Sequence, residues 1–519
     1  MKPLAGSRRR QRFDLRDVLH GRSLIIASNR GPVSFSENES GNLVPSRGAG
    51  GLVTALTEVM KHASGTWVAS ALSAGDRRMI NQTGDEHFQV PGEGDDLRLR
   101  YLAFDRVTFD RYYNKISNAI FWFLMHSMWN LPFQPRFSRI THDSWIGYQT
   151  VNQRFAEALA EEISGSEGTS PVMIHDYHLM LVARYLRKLV PEAFSYHFMH
   201  CPWPQPDLMR VLPGSMAEET LEGMLANDLL GFQTRRWSRN FMWCCQEILG
   251  AEVDMDKGLV QHLGKETVVR DYPISIDTDS VKKLAYSRRA QPHLNWLERT
   301  IGGRKLILRV DRLELSKNVV RGFLALQEML HAHPELQGQV VHLALLYPSR
   351  RAISEYHAYE AEVLDMHDRI NEEFGTEDWQ PIVIVNEDNY VRALACGRKY
   401  DVMMVNPIAD GMNLVAKEGP VVNENDGVLI LSKNAGAWYE LGHAALSINP
   451  YDIHEMAEAL YRGLTMEKSE KAELAAILKE VIDRNTPSKW VWYQLSDIRR
   501  LHEGAVTGND AGEHVRFGA

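Results

Sequence analysis

Short apolar runs recur along the chain, each ending in a charged, small or turn-forming residue. Ser23–Ser28 is the first and stops at Asn29-Arg30-Gly31-Pro32; Pro171–Ile174 stops at His175-Asp176. Phe194–Met199 stops at His200, before the turn Pro202-Trp203-Pro204. Such runs read as buried strands, and their alternation with helical stretches such as Leu179–Leu189 predicts a parallel sheet. Tyr272–Asp277 closes this first alternation. A second starts at Lys305–Val310 and continues through Val340–Leu346, Pro381–Val385, Asp401–Val405 and Gly427–Ser432. At 519 residues the chain is too long for one core, so the pattern predicts two doubly wound α/β halves. Lys489–Leu501 reads as an aromatic-rich helix packed on one of them.

Ligands of doubly wound sheets bind beyond the carboxyl ends of the strands, which directs attention to what stands there. Asp176 and His200 end strands of the first half. Arg312, Lys317 and Arg350 end successive strands of the second, and three cations on one rim suit a phosphate, gripped by planar Arg forks and a Lys point charge. The run Asp410-Gly411-Met412-Asn413-Leu414-Val415-Ala416-Lys417-Glu418 follows a strand and leads into a helix from Asn413 onward, with Glu418 about two turns in. A helix start offers free N–H groups and a positive dipole end to an anion. Gly48–Gly51, before Leu52, reads either as a second phosphate loop or as a plain tight turn. The aromatics Tyr112, Tyr113 and Trp122 read first as core, with sugar stacking as the alternative. His175 and His178 lack a third ligand at a recognised spacing, so no metal is expected.

Composition narrows the class. Apolar residues make up 44% and charged residues 24%, ordinary values for a globular protein. The net charge of −9 argues against nucleic acid as the main partner. Four cysteines without ligand spacing suit a reduced compartment, hence a cytoplasmic protein. No run is long enough for a membrane span, and the basic stretch around Arg8–Arg12 has no apolar core behind it to make a signal peptide.

Several separate motifs together resemble the trehalose-6-phosphate synthases, a family of retaining GT-B glycosyltransferases. They are Ser28-Asn29-Arg30, Gly50-Gly51-Leu52, Tyr112-Tyr113-Asn114 with Ser117-Asn118-Ala119 and Trp122, and His175-Asp176-Tyr177-His178-Leu179. His200 before its Pro-Trp-Pro turn, Asp228–Thr234 and Tyr272-Pro273-Ile274 follow. The second half adds Asp311-Arg312-Leu313, Ser316-Lys317, Ser349-Arg350, Asp410–Glu418 and Asn449–Asp452. The resemblance implies two Rossmann-like domains facing across a cleft: 22–283 for the acceptor and 284–487 for the nucleotide sugar. A helix over 488–504 would pack back on the first domain, with a basic arm at 1–21 and a tail at 505–519. It implies glucose transfer from a nucleoside-diphosphate glucose to glucose 6-phosphate, without cofactor or metal.

By the same resemblance Arg30, Tyr113, Trp122, Asp176 and Arg350 would bind the acceptor. Arg312 and Lys317 would neutralise the donor diphosphate, with the backbone of Gly51 assisting. Asp410, Gly411, Met412, Asn413 and Leu414 would hold the donor sugar and phosphate, Glu418 the ribose, and His200 would lie near the reacting carbon. Arg312, Lys317, His200 and Asp410 form the expected catalytic set. The chain departs from the family pattern at Trp67-Val68-Ala69-Ser70, in the loop Gly31–Arg47 and around Asn386–Tyr390, leaving the donor base open among uridine, guanosine and adenosine. Rival readings are a sister enzyme on the same scaffold, making glucosylglycerol phosphate or coupling cyclitols, and a silent sugar-phosphate-binding regulator. Self-association stays open.

Overall fold

The computed structural model describes residues 23–47, 65–83, 87–89, 97–166, 170–350 and 352–507. The expected basic arm, the Gly48–Gly51 loop and the end of the tail lie outside the described residues. Two sheets organise the rest. In the first, seven parallel strands run in the order Lys265–Asp271, Leu229–Phe232, Ser195–Met199, Val172–His175, Leu24–Ser28, Gly65–Ser70, Leu97–Leu102. Antiparallel strands blunt both edges: Leu259–His262 and Glu252–Asp254 on one side, His87–Gln89 on the other. The second sheet has six strands, all parallel: Ile382–Asn386, Val340–Pro348, Lys305–Leu313, Val402–Val405, Val428–Ser432, Leu446–Ile448.

Strand order explains where a site can form. In the first sheet the chain builds outward from Leu24–Ser28 in one direction, then returns to add Val172–His175 on its other side. In the second it builds outward from Lys305–Leu313, then returns to add Val402–Val405. At each reversal the connections leave in opposite directions and open a crevice at the strand ends. Ser28-Asn29-Arg30 and His175-Asp176 flank the first crevice; Arg312–Lys317 and the loop to Asp410 flank the second.

The strands are apolar on both faces, as sheets covered by helices on both sides require. Leu24, Ile26 and Ala27 are fully buried, as are Leu306, Ile307 and Leu308. The loop Gly31–Arg47 forms a hairpin, Val33–Glu37 paired with Leu43–Arg47. Asp76 anchors it by accepting the Phe35 N–H at 2.7 Å. The aromatic segment departs from ordinary helix: Asp110–Phe121 is a π-helix, and the Trp122 N–H bonds the Ser117 carbonyl five residues back. Such wide turns are rare beyond a single turn and are frequent at functional sites. The helix Pro487–Thr507 lies against the first sheet: Trp490 Nε1 donates to the Tyr272 carbonyl at 2.9 Å, and Tyr196 donates to Gln494 at 2.7 Å.

Candidate active site

The two crevices face each other, and the backbones touch at Gly411. A Cβ there would come within 1.8 Å of the His200 carbonyl oxygen, from the opposite sheet. Only glycine permits that approach. Trp237, also from the first half, donates Nε1–H to the Gly411 carbonyl at 3.2 Å. Asp410 is fixed in turn by its own N–H to the Asn434 carbonyl at 3.1 Å.

Around this contact the charged residues form two connected groups. Lys317 Nζ lies 2.6 Å from Asp410 Oδ2, and Asn413 Nδ2 donates to the same oxygen at 3.1 Å. Burial raises the Asp410 carboxyl, but Lys317, with His126 and Arg312 behind it, makes the net shift downward. Beneath Lys317, the fully buried Arg309 donates to the Lys317 carbonyl at 3.1 Å and fixes the turn.

The second group centres on Glu314, which is fully buried. Its Oε1 accepts from Trp122 Nε1 at 2.8 Å and from Ser316 Oγ at 2.9 Å. Its Oε2 accepts from Arg350 at 2.9 Å and lies 3.4 Å from Arg312. Arg350 is stacked on Trp122, 3.8 Å from the ring centroid, and donates to Asn118 at 2.9 Å. Arg312 lies over the same ring at 5.3 Å. Burial pushes the Glu314 carboxyl up; Arg312, Arg350 and Lys317 overcome it and bring it to about 2.

In the first crevice, burial raises the Asp176 carboxyl to about 6. His200 lies beside it, its N–H 3.3 Å from Asp176 Oδ1. Gln233 is oriented by accepting the Ile274 N–H through its oxygen, so its amide donates to His200 Nδ1 at 3.4 Å. His200 Nε2 then carries the proton and faces His175 Nδ1 at 3.3 Å. Burial lowers the His200 ring to about 3. With both nitrogens engaged and the ring neutral, His200 offers shape and its carbonyl rather than a proton.

Backbone strain concentrates here. Asp176, Asn318, Arg350 and Asn413 all have positive φ, at 70°, 60°, 40° and 74°. Non-glycine residues so held cost ~1–3 kcal/mol each, and they gather where surrounding contacts over-determine the backbone.

The structure brings together most residues singled out from sequence. Trp122 differs in its manner of joining: it is 7% exposed, its face covered by Arg350 and its N–H taken by Glu314. Tyr113 stacks on His178 with centroids 5.8 Å apart. Arg30 is exposed at the crevice rim. The helix after Asp410 is Val415–Val422, so Glu418 stands in its first turn rather than two turns in. Tyr390 donates to Glu418 at 2.9 Å, and burial raises that carboxyl. Gly51 lies outside the described residues. Sequence reasoning missed Glu314 and His126, and it carried Asn118 and Gln233 as motif members without a role in the site. An acid between Arg312 and Lys317 at a strand end was the available signal for Glu314. His126 bonds the Trp122 carbonyl at 3.0 Å, and burial lowers it to about 4. Among the described residues no group of three or more His, Cys, Asp or Glu could hold a metal ion. No helix among them is long and apolar enough to cross a membrane.

Residues 22–500 match the family model for glycosyltransferase family 20. The chain belongs to glycosyltransferase family 20. It is therefore a glycosyltransferase, in line with the two facing doubly wound sheets. Among family members, the alpha,alpha-trehalose-phosphate synthase [UDP-forming] of Schizosaccharomyces pombe is 30% identical over 495 residues, covering 93% of this chain and 92% of its own. The crystal structure of the UDP-forming synthase of Burkholderia vietnamiensis superposes with a TM-score of 0.82 at 30% identity, covering 94% of this chain and 98% of that one. That of Burkholderia xenovorans, solved in complex with glucose-6-phosphate, gives 0.77 at 29% identity over 92% and 100%. These matches bear out the resemblance and the GT-B fold read from the sequence.

Proposed function

We propose that the protein transfers glucose from UDP-glucose to glucose 6-phosphate with retention, giving α,α-trehalose 6-phosphate. The observation that carries this reading is the convergence at the meeting of the two crevices. Arg312 and Arg350 share Glu314 and Trp122, while Lys317 and Asp410 pair beside them. The UDP-forming relatives favour uridine over the other bases.

In this reading Arg312 and Lys317 receive the diphosphate, assisted by the backbone N–H groups of Asn413 and Leu414, just ahead of the helix Val415–Val422. Asp410, with Gly411 and Met412, holds the donor hydroxyls, and Glu418 holds the ribose. Arg30, Tyr113, Asp176 and Arg350 take the acceptor, Trp122 acting as the platform that aims Arg350. No side chain need serve as base. As the C1–O bond to the diphosphate breaks, positive charge grows at the sugar and negative charge on the departing phosphate. That phosphate accepts the acceptor proton while the new C–O bond forms on the same face. Catalysis comes from positioning and preorganised charge. The neutral, doubly engaged His200 suits this scheme, since it supplies no proton. The division at 283/284 and 487/488 and a cytoplasmic location belong to the same proposal.

A donor-by-acceptor panel tests it: UDP-, GDP- and ADP-glucose against glucose 6-phosphate, glycerol 3-phosphate and no acceptor, reading diphosphate release and product mass. Disaccharide phosphate from UDP-glucose and glucose 6-phosphate alone is the expected result. Release with glycerol 3-phosphate instead would assign the sister reaction.

A further inference from the structure

A second cavity, of about 400 Å³, lies behind the Asp410–Gly411 loop. Trp203, Trp237 and Tyr451 supply its aromatic walls, and Arg236, Asn240 and Asn434 polar groups. Among the described residues, those assigned above to donor and acceptor do not line it. The volume falls within the ~300–1,000 Å³ usual for small-ligand sites.

Its lining carries one cation, Arg236, and one acid, Asp207, and a second cation, Arg321, stands outside the lining against the Tyr451 ring. Arg236 is stacked 4.7 Å over Trp237 and donates to Asn434 Oδ1 at 3.0 Å. Arg321 stands 5.3 Å from the centroid of the Tyr451 ring and donates to Asn318 Oδ1 at 2.9 Å. Among the described residues, neither guanidinium pairs with a carboxylate. Asp207 at the rim pairs instead with Arg210 at 3.3 Å. Both arginines also act on the Tyr451 hydroxyl: burial raises it, while Arg321 and Arg236 oppose the rise. Two guanidinium groups beside one phenol suit a phosphate. Aromatic walls interspersed with amides suit the apolar face and hydroxyls of a sugar ring.

The walls also hold the catalytic loop. Trp237 bonds the Gly411 carbonyl, and Asn434, which accepts from Arg236, receives the Asp410 N–H on its own carbonyl. A ligand drawing on Arg236 therefore loads both hydrogen bonds that position Asp410 and Gly411.

We propose that this cavity is a second binding site, for a hexose phosphate, whose occupancy is coupled to donor binding through the Asp410–Gly411 loop. It goes beyond the reaction proposed above and rests on separate residues. Calorimetric titration of the full chain with glucose 6-phosphate, with inorganic phosphate as comparison, tests it. Two sites per chain are expected: one lost in Arg30→Ala, the other lost in Arg236→Ala/Arg321→Ala. In the Arg30→Ala background, glucose 6-phosphate should shift the Kd for UDP on the order of fivefold, and adding Arg321→Ala should abolish the shift. Arg321 touches neither bond to the loop, so this variant separates ligand loss from loop damage; unchanged melting temperatures confirm folding. A single site insensitive to Arg236 and Arg321 overturns the proposal. Inorganic phosphate binding there as tightly as the sugar phosphate overturns the hexose assignment. If Arg30→Ala removes nothing while the arginine pair still removes one site, the acceptor assignment fails and this cavity stands.

Discussion

Replacing Glu314 by glutamine changes one charge and almost no volume, at the point where both halves meet. The carboxylate moves from 4.5 to about 2 against its own burial. At ~1.4 kcal/mol per pKa unit, the surrounding cations favour the ionised form by roughly 3 kcal/mol. Hydrogen bonding leads to a similar figure. A glutamine that keeps its oxygen on Trp122 and Ser316 turns its NH₂ toward Arg350 and Arg312, donor against donor. Flipping the amide relieves the arginines and sets NH₂ against the Trp122 N–H. Either way a buried partner is lost, typically ~3–5 kcal/mol for a charge pair. Glu314→Gln should therefore lower unfolding free energy by roughly 3 kcal/mol at pH 7. Because the folded pKa is depressed, this stability is complete above about 4.5 and is lost as pH falls toward about 2. Urea unfolding at pH 7 and pH 4 should show the gap to wild type narrowing by about 1 kcal/mol. Turnover should fall about a hundredfold, since both arginines lose their aim. Equal unfolding curves and wild-type kcat/KM would refute the assignment of Glu314 as the shared anchor.

Removal of Arg312 by alanine should cost ~3 kcal/mol of transition-state stabilisation, about a hundredfold in kcat, read by UDP release; wild-type turnover removes it from the mechanism. Lys317→Ala leaves Asp410 buried without its cation, so the carboxyl should titrate upward, which NMR would detect, and stability should drop by roughly 3 kcal/mol or more. Gly411→Ala forces a Cβ against the His200 carbonyl, so the halves should separate, with lower stability by at least about 1–3 kcal/mol and lost transfer; a wild-type melting temperature contradicts the close contact. Asp176 has its folded pKa raised to about 6, so its favourable contribution exists below its ordinary 3.8 and is lost as pH rises through about 6. Asp176→Asn should accordingly melt higher than wild type at pH 8 and not at pH 4.

The sheets were legible because each strand is a short apolar run closed by a turn residue, and parallel strands buried on both faces read that way. The rim cations Arg312, Lys317 and Arg350 were legible because they stand at the carboxyl ends of two successive strands, Lys305–Leu313 and Val340–Pro348. Glu314 was not, since an acid two positions past Arg312 gains meaning only once Arg350 and Trp122 arrive from distant parts of the chain. Trp122 does meet the rim residue Arg350, yet its covered face depends on that residue, 228 positions later in the sequence numbering. The π-helix at Asp110–Phe121 leaves no periodicity distinct from an ordinary amphipathic helix over so short a stretch. The edge hairpin around Asp254–Lys257 escaped notice because its strands are short and half-polar. His200 was legible as a residue at a strand end, but its tautomer follows from Gln233 and Ile274, which no motif spacing connects.

The most direct measurement of the central claim is NMR of the product formed from UDP-glucose labelled with carbon-13 at C1 and unlabelled glucose 6-phosphate. Retention at the donor carbon sets the labelled C1 as α, and attack by the α-anomeric hydroxyl of the acceptor makes the disaccharide phosphate non-reducing, with the label coupled across one oxygen to a second α-anomeric centre. That spectrum, building up about a hundredfold more slowly when Arg312→Ala replaces wild type, is the expected result. A reducing product, a β signal from the labelled carbon, or label found only in free glucose would contradict the account.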